Sequence, residues 1–274
     1  QYYDAESGLV SFINFRYMND KKQSGEVGFD TEKDKGTTNK WGSEINTQRL
    51  DLATKVGYVF KDMPFQSIGF QNAFTLHNQN SYYGLNVYDI KQNSFYSNLI
   101  FNSIINNTKH KFATGINFAY DNYNEFVGLT DYGRVDNSVG TFFEYTYDND
   151  DNFSLVLGGR VDNHNRLGTF VTPRLHLRYN PWEKSVLRFS AGRGKRAANI
   201  FAENQSLFAS SRTFSILDTD GKIYGLNPEI AWNYGLSFNQ KFQLFGRNGD
   251  AGFDLYRTDF QNQAVVDVMQ SPQQ

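Results

Sequence analysis

The chain has 274 residues, a formal net charge of -2 and no cysteine. That excludes a disulfide framework, a thiolate metal site and a cysteine nucleophile, and near neutrality gives no bulk attraction to nucleic acid. Aromatic residues make up 16% of the chain, with 25 Phe and 17 Tyr, yet its mean hydropathy is negative; the combination points to strands that alternate strictly between an apolar and a polar face. No apolar run approaches the roughly 20 residues of a membrane helix, which leaves open barrel strands of about 9–11 residues. Gln1 opens no signal peptide, and the pattern starts and stops in mid-course, so the expectation is a piece of a longer protein.

Leu9, Ile13, Phe15 and Tyr17 alternate with Val10, Phe12, Asn14 and Arg16 and predict a first strand. Asn19 to Asn46 is charged and Gly-rich and reads as a solvated loop. Leu50, Leu52, Thr54, Val56, Tyr58 and Phe60 form one face of the clearest strand, with Arg49, Asp51, Ala53, Lys55 and Gly57 on the other. The turn Lys61-Asp62-Met63-Pro64 leads to Ile68, Phe70, Phe74 and Leu76; a proline there fits a turn and not a central strand. His77 to Ile90 reads as a polar loop, followed by strands carrying Phe95, Leu99, Phe101 and Ile105, then Phe112, Ile116, Phe118 and Tyr120. A further polar loop runs to Asn137, then come Val139, Phe143, Tyr145 and Tyr147, a turn over Asp148 to Asn152, and Phe153, Leu155, Leu157 and Val161.

The stretch VTPRLHLRYNPWEKSVLRFSAGRGKRAANIFAEN, Val171 to Asn204, is the most informative. Leu175, Leu177 and Tyr179 alternate with Arg174, His176 and Arg178, and after the turn at Asn180 to Lys184 the return strand sets Leu187, Phe189 and Ala191 against Arg188, Ser190 and Gly192. Successive side chains of a strand point to opposite faces, so one face of this hairpin is apolar and the other cationic. Together with Arg160 it makes a cationic ladder: Arg160, Arg174, His176, Arg178 and Arg188. Arg193 to Ala231 reads as the longest loop, ahead of a strand with Trp232, Tyr234, Leu236, Phe238 and Phe242. Gly246-Arg247-Asn248-Gly249-Asp250 carries a strong hairpin-turn signal, and Phe253 and Leu255 begin an eleventh strand.

Connections alternate between long and polar and short, which places all short turns at one end of the strands. A soluble sandwich has no need of that asymmetry, whereas a transmembrane barrel has periplasmic turns and long outer loops, an apolar lipid face, a polar lumen and aromatic girdles at both interfaces. Phe60, Tyr147, Tyr179 and Trp182 lie beside short turns, and Tyr17, Tyr120, Trp232 and Tyr234 at the other end. The expected fold is therefore an all-β antiparallel transmembrane barrel wall, with a soluble all-β domain as the alternative.

No nucleophile elbow, zincin helix or P-loop is present. The histidines at 77, 110, 164 and 176 are not at ligand spacing, and Asp148, Asp150 and Asn152 lack the Gly and Glu of a calcium loop. No metal site, cofactor or catalytic residue is expected.

The segments PRLHLRYNPWEKSVLRFSAGRGKRAANIFAEN, LNPEIAWNYGLSF and FDLYRTDFQNQ resemble TonB-dependent outer-membrane receptors. The residues that carry the resemblance are Gly192, Arg196, Asn199, Phe201 and Glu203, then Leu226, Asn227, Pro228, Glu229, Asn233, Tyr234 and Gly235. The resemblance implies a bacterial outer-membrane barrel of about 22 strands with a plugged lumen, of which residues 1–274 hold roughly half, the plug, the energy-coupling box and the first and closing strands lying outside. It implies an active importer, not an enzyme, whose partners are the inner-membrane TonB energy-transducing complex, the lipid bilayer and a bulky scarce solute such as a ferric siderophore. On this reading Arg193, Lys195, Arg196, Phe201, Phe208 and Arg212 suit capture of an anionic, partly aromatic ligand on an external loop, with a structural loop-to-plug role as the alternative at the loop's start. The ladder faces the lumen, where it packs against a plug and its waters or guides an anionic ligand. A passive porin-like channel and a soluble carbohydrate-binding module or hydrolase remain as alternatives.

Overall fold

The computed structural model describes residues 2–4, 6–63, 65–216 and 222–269. Its strands are β1 (Tyr2–Asp4), β2 (Leu9–Gly25), β3 (Gly42–Val59), β4 (Ser67–Tyr83), β5 (Asn86–Ile105), β6 (Asn107–Val127), β7 (Thr130–Asp131), β8 (Arg134–Asp148), β9 (Phe153–His164), β10 (Gly168–Tyr179), β11 (Ser185–Arg196), β12 (Glu229–Leu244) and β13 (Arg247–Asn262). They form a single antiparallel sheet of thirteen strands in chain order, with β7 paired to β6 alone. The eleven expected strands are the long ones; β1 and β7 are short additions. Among the described residues the sheet is open, since β1 and β13 each pair with one neighbour.

Register explains the alternation. On one face Val56 lies opposite Phe70, Phe70 opposite Leu99, Leu99 opposite Ile116 and Ile116 opposite Thr141. This apolar face packs against nothing: Ile13 is 71% and Ile116 58% exposed. A water-facing wall of that kind is untenable, whereas a lipid-facing one needs no covering layer. On the opposite face, small residues let long side chains lie flat. A Cβ at Gly158 would meet the Arg174 side chain at 2.9 Å, and Arg174 crosses that gap to pair with Glu144 on β8. Gly235 similarly leaves room for the Tyr256 ring.

Four expected loops are shorter than the sequence pattern suggests, among them Arg193 to Ala231, of which β11 and β12 take all but 197–228. Asn19 to Gly25 and Gly42 to Asn46 are paired strand, leaving 26–41 as the connection. His77 to Ile90 is a continuous hairpin turning at Gly84-Leu85, and the expected loop before Asn137 is mostly β6, β7 and β8. These strands overhang the apolar band. There most outer positions are polar, such as Asn78, Asn80, Asp89, Lys91, Asn122 and Asn124, and the exposed apolar residues are scattered, such as Val87, Phe126 and Val135. The period-2 signal is therefore lost while backbone pairing continues. The long-loop end thus differs from the short-turn end by strand overhang and by the two long segments 26–41 and 197–228. Pro64 of the first short turn lies outside the described residues.

The last hairpin also differs from expectation. It turns at Phe245 (φ 51°) and Gly246 (φ 75°), at the leading edge of the expected Gly246 to Asp250 turn and not at its centre. Two successive positive φ values make the tight turn that matches strand twist. This register sets Phe238 opposite Phe253 and Leu236 opposite Leu255; a turn centred on Asn248-Gly249 would set Phe238 opposite Asp259. Cross-strand apolar pairing outweighs the local turn preference.

Candidate functional site

The compact hydrophobic cluster lies at the overhanging end, on the polar face of the sheet. Tyr83, Tyr88 and Ile90 from β4 and β5 meet Phe201 and Phe208 from the segment 197–228, which carries a short helix, α1 (Ile200–Glu203), and a 3-10 turn at Gln205–Ala209. The Tyr88 and Phe208 rings stack at 5.2 Å, and Tyr132 lies 4.7 Å from Phe201. Asn86 Nδ2 donates to the carbonyls of Phe208 (2.7 Å) and Ser210 (2.8 Å). The part of the segment around Phe201 and Phe208 is therefore docked, with two of its backbone carbonyls taken up by Asn86 of the wall.

Beside the cluster is a buried ionic pin. Arg134, at the start of β8, donates through Nη1 to Glu125 Oε2 (2.9 Å) and Tyr224 (2.7 Å), through Nη2 to Asn199 Oδ1 (2.7 Å) and through Nε to Asp136 (3.0 Å). Tyr88 donates to the other oxygen of Glu125 at 2.9 Å. The guanidinium also lies over the Tyr123 and Tyr224 rings, at 4.0 and 4.5 Å. Burial and then the Glu125 carboxylate push the Tyr88 phenol up. Burial draws the guanidinium down, and the facing Tyr224, Glu125 and Asp136 more than offset it, so Arg134 is raised. The hydrogen bonds to Asn199 and Tyr224 tie both ends of segment 197–228 to the wall. Sequence reasoning missed Glu125 and Arg134 because they stand in a stretch read as loop; the available signal was only their shared face across a short turn.

The residues that carried the resemblance form a second staple. Arg196 holds Glu203 with two bonds, 2.8 and 3.0 Å, and Glu229 with a third at 2.5 Å. The amide of Asn199 donates to Glu203 at 3.1 Å, that of Ala264 to Glu229 at 3.1 Å, and Asn262 Nδ2 to the Pro228 carbonyl at 2.7 Å. Leu226 closes a tight bridge with Ile223. Gly192 pairs with Asn233 between β11 and β12, Asn233 accepts from Thr258 at 2.8 Å, and Tyr234 stacks on Trp232. These contacts join β11, α1, β12 and the segment after β13 at the root of the long loop.

The six residues expected to hold a ligand do not converge. Phe201 and Phe208 are 0% and 1% exposed, so they present no surface to a solute; packing against Tyr83 and Tyr88 consumes them. Arg193 shares the outer face with Trp232 and donates to the Val171 carbonyl at 3.2 Å. Lys195 donates to the Leu167 carbonyl at 3.1 Å and lies over the Phe170 ring at 4.0 Å. Arg196 and Arg212 line a cavity of about 900 Å³ between segment 197–216 and residues 263–268, whose walls also include Ile200, Leu207, Phe214 and Val266. Arg212 reaches the Val268 carbonyl there. Two of the ladder's five members are neutralised: Arg160 pairs with Asp162 at 2.7 Å and reaches Asn117 at 2.7 Å, and Arg174 pairs with Glu144. Arg178, Arg188 and His176 have no partner among the described residues. No group of three His, Cys, Asp or Glu residues is placed to hold a metal among the described residues.

An open antiparallel wall with one unpacked apolar face, girdle aromatics and a docked loop over the other face is the wall of a transmembrane β-barrel. The chain belongs to the TonB-dependent receptor-like β-barrel family, whose model matches residues 2–274. It is accordingly an outer-membrane protein, with its short turns on the periplasmic side and the overhanging strands and long loops outside. No curated protein sequence matches the chain. Among solved structures it is similar to the ferripyoverdine receptor of Pseudomonas aeruginosa bound to ferripyoverdine, at 12% identity and TM-score 0.64, covering 97% of this chain and 41% of that one. It is similar to the alcaligin outer-membrane receptor FauA of Bordetella pertussis, at 14% identity and TM-score 0.61, covering 97% and 43%. A double mutant of the hemophore receptor HasR of Serratia marcescens, in complex with its hemophore HasA and heme, gives 12% identity and TM-score 0.58, covering 92% and 45%. The chain thus spans less than half the length of these structures, and at such identities the likeness is one of fold.

Proposed function

We propose that this chain is part of the wall of an outer-membrane active importer for a bulky, scarce solute, a ferric siderophore first among them. The family match over residues 2–274 carries the reading. It is supported by receptors of similar fold that hold ferripyoverdine or heme, and by the solute-sized cavity beside Arg196 and Arg212. On this reading the remaining strands and a plug lie in other parts of the protein. The inner-membrane TonB complex supplies the energy through that plug. The wall positions and admits the solute, and no bond is made or broken. Uptake of iron-55 carried by a panel of siderophores and by heme, compared in cells with and without the gene, tests it. The expected result is uptake of one chelate that disappears when the proton-motive force is collapsed. Gene-dependent uptake that persists without that force would mark a passive channel instead.

A further inference from the structure

The hairpin of β10 and β11 places Arg178 directly opposite Arg188 on the polar face. Cβ atoms of such a pair lie about 4.5–5.5 Å apart, and like charges at that spacing destabilise a sheet. Two neighbouring arginines of this face are neutralised within the wall, Arg160 by Asp162 and Arg174 by Glu144, and Arg16 lies opposite Asp51; Arg178 and Arg188 are in no ion pair or hydrogen bond among the described residues. At the same level Ser154 stands opposite Arg178 and Ser237 opposite Arg188. Beyond the serines come Asp148 and Asp254. Asp148 turns into its own hairpin, accepting from the Asp150 amide at 2.9 Å. The two arginines, with His176, Ser154, Ser190 and Ser237, line a recess of about 290 Å³ whose lining contains no carboxylate. Every polar side chain around it is able to donate a hydrogen bond.

We propose that this recess, near the short-turn end of the lumen face, is an oxyanion site in which Arg178 and Arg188 together bind one carboxylate, phosphate or sulfate group. A single anion between the two guanidiniums replaces their repulsion with paired charge-assisted hydrogen bonds. The serine hydroxyls supply further donors. The anion has two sources: a group borne by a free solute in the lumen, or an acidic side chain from another part of the receptor. The assignment rests on the importer reading only in placing this face in a lumen.

The test is thermal unfolding of the full-length receptor in detergent, in sulfate and in chloride at equal ionic strength. Wild type is compared with Arg178→Gln, Arg188→Gln and the double variant. The general salting effect of sulfate acts on all of them, so the difference between proteins is the readout. If the site takes free anions, sulfate raises the wild-type midpoint by about 2–4 °C more than that of the variants. If an acidic side chain of the receptor fills it, sulfate adds no more to wild type than to the variants, and the variants melt lower in chloride. Either result supports the site. Equal midpoints and equal sulfate increments in all four proteins overturn it. Should the double variant not fold, the single variants give the same comparison. The measurement needs no transport, so its failure leaves the uptake experiment untouched, and failed uptake leaves it untouched in turn.

Discussion

At the residue scale, the docking of segment 197–228 depends on Arg134. Its guanidinium is 5% exposed and Glu125 is fully buried. Removing one member of such a pair strands the other charge, at a cost of about 3–5 kcal/mol, whereas replacing both with apolar groups costs far less. Arg134→Met is therefore expected to release segment 197–216 and not the barrel wall. Amide exchange at residues 200–209 should accelerate to the rate of an undocked loop while that of β5 and β6 stays slow. Adding Glu125→Leu should restore much of the protection. Unchanged exchange in Arg134→Met would show that the aromatic cluster alone holds the segment. None of this was legible in the sequence. The polar stretch around Glu125 and Arg134 has no apolar period, and a buried ion pair between residues in a presumed loop leaves no pattern.

At the element scale, the legible parts are those in which one face meets hydrocarbon. The alternation in β3 and β6 predicted which residues share a face, and the register agrees, with Leu99 opposite Ile116 and Val56 opposite Phe70. Strand ends were misplaced wherever the chain leaves the apolar band, because pairing there no longer requires alternation. Phe201 and Phe208 were misread for a related reason: an aromatic on a long loop signals exposure in the sequence, and only the tertiary contact with Tyr88 shows it buried. Ile116 tests the assignment of the outer face. It lies midway between Phe112 and Tyr120 on one face of β6, and it is 58% exposed. Ile116→Arg in the full-length receptor should cost about 2–4 kcal/mol at the bilayer midplane and reduce the folded, heat-modifiable fraction on a gel. Ile116→Trp should fold like wild type, since lipid imposes no facing layer. In a packed core the larger ring would cost about 1–3 kcal/mol, so comparable damage from both substitutions would argue for a second layer over this face.

At the scale of the whole molecule, the strand order β1 to β13 and the inequality of its two ends define an orientation. The overhangs, the docked segment and the large cavity are at one end; the turns at 60–66, 149–152 and 180–184 are at the other. Barrels of this family keep short turns on the periplasmic side and longer loops outside, which places the first end outside the cell. The absence of cysteine from the chain makes its single-cysteine variants direct reporters of that claim. Ser24, Asn80 and Ser206 are exposed at the overhanging end, and Asp62 and Glu183 are exposed at the turn end. With cysteine at each position in turn, a membrane-impermeant thiol reagent added to intact cells should label 24, 80 and 206 and leave 62 and 183 unlabelled until the outer membrane is opened. Labelling at 62 or 183 on intact cells, with 24, 80 and 206 protected, would contradict the orientation and with it the placing of the candidate solute cavity on the outside of the cell.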